Sequence, residues 1–134
     1  PWGLRLLFDK DGDKVTTSFI SSEEYQGYPG YLHGGITSAL LDEVMSRVSL
    51  LDQQWTMTAR MEVRFKLRIP IGVGLTAEAV KVSENGRFLE ARGTLMLPNG
   101  QVAATSMGTY AYVNAETLRS MAHDYPGLVR EWMK

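Results

Sequence analysis

The sequence predicts an α+β fold in which one long helix is wrapped by an antiparallel β-sheet, and three observations carry that expectation. Residues 36–51 repeat apolar side chains at helical spacing, with Ile36, Leu40, Val44 and Val48 on one line and Leu41 and Met45 beside it. Residues 57–69 alternate without a break: Met57, Ala59, Met61, Val63, Phe65, Leu67 and Ile69 interleave with Thr58, Arg60, Glu62, Arg64, Lys66 and Arg68. Beyond them, Glu84-Asn85-Gly86 and Pro98-Asn99-Gly100 read as hairpin turns dividing the strands Val73–Val82, Phe88–Leu97 and Val102–Val113.

The other elements follow in chain order. Leu4–Phe8 and Val15–Ile20 are short apolar runs around Asp9-Lys10-Asp11-Gly12-Asp13, which predicts a hairpin. Residues 22–35 are rich in glycine and aromatics and predict a loop, with one helical turn at Ser22–Tyr25. The helix over Ile36–Leu51 carries Glu43 and Arg47 at i,i+4, the favourable order for a solvated pair. The alternating strand is expected to lay one whole face in the core and to begin a four-strand antiparallel meander. Asn114 predicts an N-cap for a helix with Leu118, Met121, Ala122 and Tyr125 on one side. Pro126 should end it, before a tail carrying Leu128, Val129, Trp132 and Met133. The whole, residues 1–134, reads as one domain with a helical tail over about 114–134. A single helix cannot cover both faces of such a sheet, so the face with Arg60, Glu62, Arg64 and Lys66 must meet water or another subunit.

Composition narrows the chemistry. Fourteen basic and fifteen acidic side chains give a net charge of −1, so no basic stripe points to nucleic acid. Without cysteine there is no thiolate nucleophile, disulfide framework or Cys-type zinc site. The two histidines, His33 and His123, are ninety positions apart, which argues against a His-rich metal centre. The uncharged run Tyr25 to Leu41 is broken by four glycines and Pro29, so no membrane-spanning helix is expected. No basic segment precedes an apolar one in the manner of a signal peptide, and a cytoplasmic location is the default expectation.

Two features could carry a reaction. Gly30-Tyr31-Leu32-His33-Gly34-Gly35-Ile36 runs directly into the helix, where uncovered N–H groups at the positive end of the dipole can polarise a carbonyl. The same glycines also suit a tight entry turn and nothing more. Asp42 lies mid-helix with Ser46, not a base, four residues on. A lone carboxylate in mostly apolar company is the setting for a nucleophile or general base, as opposed to a solvated helix position.

The run YQGYPGYLHGGITSALLDE resembles the motif of hotdog-fold acyl-CoA thioesterases of the phenylacetate-pathway type: His-Gly-Gly at the start of a central helix, and an acidic residue nine positions after the histidine. His33-Gly34-Gly35 and Asp42 match both elements, and the likeness extends over roughly residues 20–113. It implies the hotdog fold and hydrolysis of an acyl- or aryl-CoA thioester to free acid and coenzyme A, with no metal or other cofactor. It also implies roles. Gly34 would supply the N–H that polarises the thioester carbonyl, Asp42 would be nucleophile or base, and Thr58 would orient water or the carboxylate. His33 would hold the loop, with Gly35 beside it in substrate binding. Relatives carry Asn or Gln six positions before the histidine; here that position is Gly27, and Gln26 is the neighbouring candidate. Arg60, Arg64, Lys66, Arg68 and Arg87 could meet the phosphates of coenzyme A or form a solvated face. Tyr25, Tyr28 and Tyr31 could line an acyl channel or anchor a loop.

Helix geometry adds an independent constraint. Gly34 and Asp42 are eight residues apart, about 12 Å along a helix axis, whereas a carbonyl must lie about 3 Å from its oxyanion donor and comparably near its attacker. If both act on one thioester they belong to different subunits, and the expected assembly is a homodimer or a dimer of dimers. The rivals are a hotdog hydratase or dehydratase, for which this chain lacks the expected His shortly after Asp42, and a non-catalytic acyl-CoA-binding domain.

Overall fold

A computed structural model describes Leu4, residues 6–124 and residues 126–127. Strands β1 (Phe8–Asp11) and β2 (Lys14–Ile20) form the first hairpin. They are closed by Gly12-Asp13, with Asp11 paired to Lys14 and Gly12 at φ +61°. The first strand therefore starts where the expected run Leu4–Phe8 ends. A two-residue turn pairs the charged Asp9-Lys10-Asp11 segment with β2, and Leu7 stays 88% exposed.

After a short 3₁₀ turn at Glu23–Tyr25, helix α1 (Gly34–Ser46) crosses the sheet, and Arg47–Asp52 continues it as a 3₁₀ segment. The helix is thus shorter than the apolar period suggested, tightening in its last turns while Val48 stays buried. Leu40, Leu41, Val44 and Met45 are fully buried, chiefly against β4 (Gly74–Glu84) and β5 (Phe88–Met96). Val15, Leu75, Ala77, Ala79, Leu89, Ala91 and Leu95 complete that core from the sheet side.

The sheet is six-stranded and antiparallel, in the order β1-β2-β4-β5-β6-β3, where β3 is Thr56–Phe65 and β6 is Val102–Tyr112. This corrects the expected meander. β3 pairs with β6 at an edge, β4 pairs with β2, and residues 66–73 cross between them. The crossover is tied down where Leu32 N–H bonds to Ile69 O and Ser21 Oγ bridges Pro70 O and Val73 N–H. Ile69 is buried there as part of a loop, not a strand.

A second correction concerns the alternation. A β-bulge at Ala59 lies between the pairs Thr58–Tyr110 and Arg60–Thr109. Paired residues share a face, so Met61 and Val63, opposite Gly108 and Ser106, look toward the helix, and so does Thr58, opposite Tyr110. Met57, opposite Ala111, looks the other way and is 62% exposed. The unbroken apolar face of the sequence is therefore split between two sides. An edge strand beyond the helix buries it only in part; Phe65 remains 58% exposed.

At the C-terminus, Asn114 Oδ1 caps helix α2 (Ala115–Asp124) by accepting the Thr117 N–H at 2.7 Å. Leu118, Met121 and Ala122 are half-buried. Pro126 and Gly127 are themselves helical, whereas Pro126 was expected to end the helix. Tyr125, Leu128, Val129, Trp132 and Met133 lie outside the described residues. No helix among the described residues is long and apolar enough to cross a membrane.

Candidate active site

The helix N-terminus is built by its own entry loop. His33 is the N-cap in extended conformation, and its Nδ1 accepts the Gly35 N–H at 2.8 Å. Ile36 and Thr37 N–H groups both reach His33 O. Among the described residues, this leaves the Gly34 N–H as the one first-turn donor with no acceptor, at an exposed position. Gly35, expected beside it in substrate binding, already spends its N–H on His33. The loop closes on itself through Gln26, whose Oε1 accepts the Gly30 N–H at 3.1 Å, and through Gly27 N–H to Tyr31 O. Gly27 sits against His33, where an added Cβ would come within 3.2 Å of the His33 Cα. Next to the Gly34 N–H opens a cleft of about 670 Å³, lined by Tyr28, Tyr31, Thr37, Phe65, Lys66 and Arg68 among others. The Arg68 guanidinium lies 5.7 Å from the Tyr31 ring.

Asp42 stands two turns further along α1, half-buried. Its Oδ1 accepts two hydroxyls, Thr58 Oγ1 from β3 at 2.9 Å and Tyr110 Oη from β6 at 2.9 Å. The carboxylate is therefore not in the apolar company that the helix pattern suggested; two strands present donors to it. No described residue bonds Oδ2. Burial, reinforced by the Asp42 and Glu43 charges, holds the Tyr110 phenol far above its usual range, so it remains a donor at working pH. Sequence reasoning missed Tyr110. The available signal was a tyrosine on the core side of a strand, whose buried hydroxyl needs an acceptor. Glu43 is less solvated than expected. Burial raises its pKa, the Asp42 charge adds to the rise, and Arg47 opposes it.

The expected residues thus fall into three places. Asp42 and Thr58 meet; Gly34, His33, Gly35 and Gln26 share the entry loop; Arg87 lies in the β4–β5 turn, its guanidinium 5.7 Å from the Phe88 ring. That turn borders a different cleft, lined by Asp52, Glu84, Asn85 and Tyr112, at the far end of the helix. Gly34 and Asp42 stay apart on two measures. Both are on α1, eight residues apart, and their neighbours on β3, Phe65 and Thr58, are roughly 20 Å apart at ~3.3 Å per residue. Among the described residues no cluster of three or more His, Asp or Glu side chains could hold a metal ion.

No protein-family model matches the chain. Two curated relatives are both named acyl-coenzyme A thioesterase THEM5. The mouse protein is 31% identical over 67 residues, 50% of this chain and 27% of its own length. The human protein is 30% identical over 86 residues, 63% of this chain and 35% of its own length. The chain thus spans about a third of the length of the curated relatives it matches. Among solved structures, a thioesterase superfamily protein superposes with a TM-score of 0.74 at 26% identity, over 78% of this chain and 55% of that one. A Streptococcus mutans protein bound to acetyl-CoA superposes with a TM-score of 0.77 at 16% identity, over 82% and 90%. The latter likeness shows the fold alone: an antiparallel six-stranded sheet with a central helix, the hotdog architecture.

Proposed function

We propose that this chain is a hotdog-fold thioesterase and hydrolyses an acyl- or aryl-CoA thioester to a free acid and coenzyme A. The observation that carries the reading is a mid-helix carboxylate held through one oxygen by Thr58 and Tyr110, with its other oxygen uncommitted, on the helix whose first N–H is also uncommitted. Such a pair supplies what acyl transfer needs, an attacking oxygen and a donor where negative charge develops. The names of the curated relatives support thioester hydrolysis as the activity.

In this mechanism Asp42 Oδ2 either removes a proton from the water that attacks the thioester carbonyl, or attacks the carbonyl itself and forms a mixed anhydride that water then hydrolyses to the free acid and the restored Asp42 carboxylate. The oxyanion is received by the Gly34 N–H, and the thiolate of coenzyme A leaves and takes up a proton. Lys66 and Arg68, at the rim of the cleft beside Gly34, offer positive charge to the coenzyme phosphates. Because one chain separates Gly34 from Asp42, the reacting groups come from two copies. β3 is an edge strand, and antiparallel pairing of two such edges about a two-fold near the middle of β3 would bring the Phe65 end of one copy to the Thr58 end of the other.

Thiol release measured over a panel of acyl-CoA substrates tests the activity; tight coenzyme binding without release from any of them would make the protein a binder instead. Subunit mixing tests the shared site. Gly34→Pro removes only the N–H, because Gly34 is the first helical residue and His33 already has the extended backbone, ψ 135°, that precedes proline. Mixed with Asp42→Asn, each variant inactive alone, it should restore roughly a quarter of wild-type activity, since about half the dimers are mixed and each holds one intact site of two. No recovery from folded, exchanged subunits would place the whole site within one chain.

A further inference from the structure

Building on the reading of Asp42 as the reacting carboxylate, we infer that Tyr110, seated on Gly108, is a positioning residue that fixes which Asp42 oxygen reacts. A carboxylate on a short side chain rotates broadly about its last torsion, because that sp³–sp² bond has shallow wells. One donor leaves this rotation loose. Two donors from different strands on the same oxygen hold it, and here both Thr58 Oγ1 and Tyr110 Oη reach Oδ1 at 2.9 Å. The two differ in kind. Thr58 is exposed and its hydroxyl can turn to water, whereas Tyr110 is fully buried on the core side of β6 and its ring has nowhere else to go. Tyr110 is thus the rigid member of the pair, and Oδ2 is the oxygen it leaves for the reaction.

Gly108 makes this placement possible. The Tyr110 ring lies back along its own strand, over the residue two positions earlier. A Cβ on Gly108 would come within 2.6 Å of Tyr110 Cε2 and 2.9 Å of its hydroxyl oxygen. Glycine inside a strand forfeits packing and entropy, and here the forfeited volume is the seat of the ring. The device is not needed for the fold alone: a phenylalanine would fill the same space, and only the hydroxyl reaches Asp42.

The groups facing Asp42 are Tyr110 from β6, Thr58 from β3 and Glu43 on its own helix, with Arg47 beside Glu43. The test follows the Asp42 carboxyl by ¹³C NMR, a readout that requires no turnover, together with kcat and KM. In Tyr110→Phe the Asp42 carboxyl signal should move and broaden, since a carboxylate that loses its rigid donor samples several orientations. The Glu43 signal should change much less. kcat should fall about tenfold with KM within about twofold, because orientation is lost and binding is not. Gly108→Ala, which keeps the hydroxyl but unseats the ring, should change kcat and the Asp42 signal in the same directions. Leu95→Val, a buried core change at the pair with Ala104, should lower Tm and move neither. An unmoved Asp42 signal in folded Tyr110→Phe overturns the inference, whatever the activity. Full turnover by Asp42→Asn would instead refute the catalytic reading and leave the NMR result to decide the role of Tyr110.

Discussion

Replacing Asp42 by asparagine and by alanine separates chemistry from stability, because both hydroxyl donors converge on a single oxygen. Asparagine can place its carbonyl oxygen where Oδ1 lies, keep Thr58 and Tyr110 satisfied, and set an amide NH₂ in place of Oδ2. It removes the reacting oxygen and little else. Alanine removes the acceptor as well. Thr58 is exposed and its hydroxyl returns to water at small cost, but the enclosed Tyr110 hydroxyl keeps only its long 3.4 Å contact to the Asp42 backbone carbonyl, a loss of about 1–3 kcal/mol. For a chain of this size that corresponds to a fall in Tm of roughly 4–12 °C. Both variants should lose about two to three orders of magnitude in kcat, about 3–4 kcal/mol of transition-state stabilisation. Thiol release against acyl-CoA and thermal unfolding by circular dichroism check the two axes. An asparagine variant with more than about a tenth of wild-type turnover would remove Asp42 from the mechanism. An alanine variant as stable as the asparagine one would refute the hydrogen-bond assignment.

Thr58→Ala should lower kcat by about tenfold to a hundredfold, less than either Asp42 variant, because it orients the carboxylate without forming bonds to substrate; equal losses in the two would mean the roles are wrongly divided. Gly93→Ala should destabilise the protein by about 1–3 kcal/mol in urea unfolding, since its Cβ would meet Ser106 Oγ at 2.6 Å and Met45 at 3.1 Å in the closed core beneath α1; a neutral result would mean that the helix is not seated on β5. Glu43 has a folded pKa above its unfolded one, so the folded state binds more protons and the stability from this group declines as pH rises through the carboxylate range. Glu43→Gln should therefore flatten the fall in stability as pH rises from the ordinary glutamate value upward, and an unchanged slope in pH-dependent unfolding would contradict that sign.

Local periodicity made α1 and the strands legible, and local chemistry made the turns legible. Ile36, Leu40 and Val44 repeat within one element, and the Asn85 side chain bonds the N–H groups of Arg87 and Phe88 across its own turn. What the sequence did not reveal depends on partners far along the chain. β3 pairs with β6, some fifty residues on, and nothing in residues 56–65 specifies that choice over pairing with β4. The alternation from Met57 to Ile69 conceals the bulge at Ala59, because an alanine suits either face and the apolar count survives the change of side. That bulge puts Thr58 on the same face as Met61, and so it brings Thr58 to Asp42. Of the candidate groups, Asp42, Gly34 and His33 were readable from spacing within one helix and its cap. Tyr110 was not, since its value lies in being opposite Thr58.

This division says something about how the fold builds its chemistry. The proposed attacker, Asp42, and the proposed oxyanion donor, Gly34, are both on α1, and α1 fixes the distance between them as too large for one carbonyl. The hydroxyls that bond the Asp42 carboxylate come from β3 and β6, and β6 is the only neighbour that β3 has among the described residues. Thr58 therefore rests on a strand held by one ladder, while Tyr110 rests on a strand held by two. If the open edge of β3 is where a second copy pairs, as proposed, the interaction that completes the oxyanion hole also supplies the second ladder that steadies Thr58. Assembly and orientation of the carboxylate would then be one event, and a separated subunit would lack the Gly34 N–H of its neighbour and hold Thr58 less firmly as well.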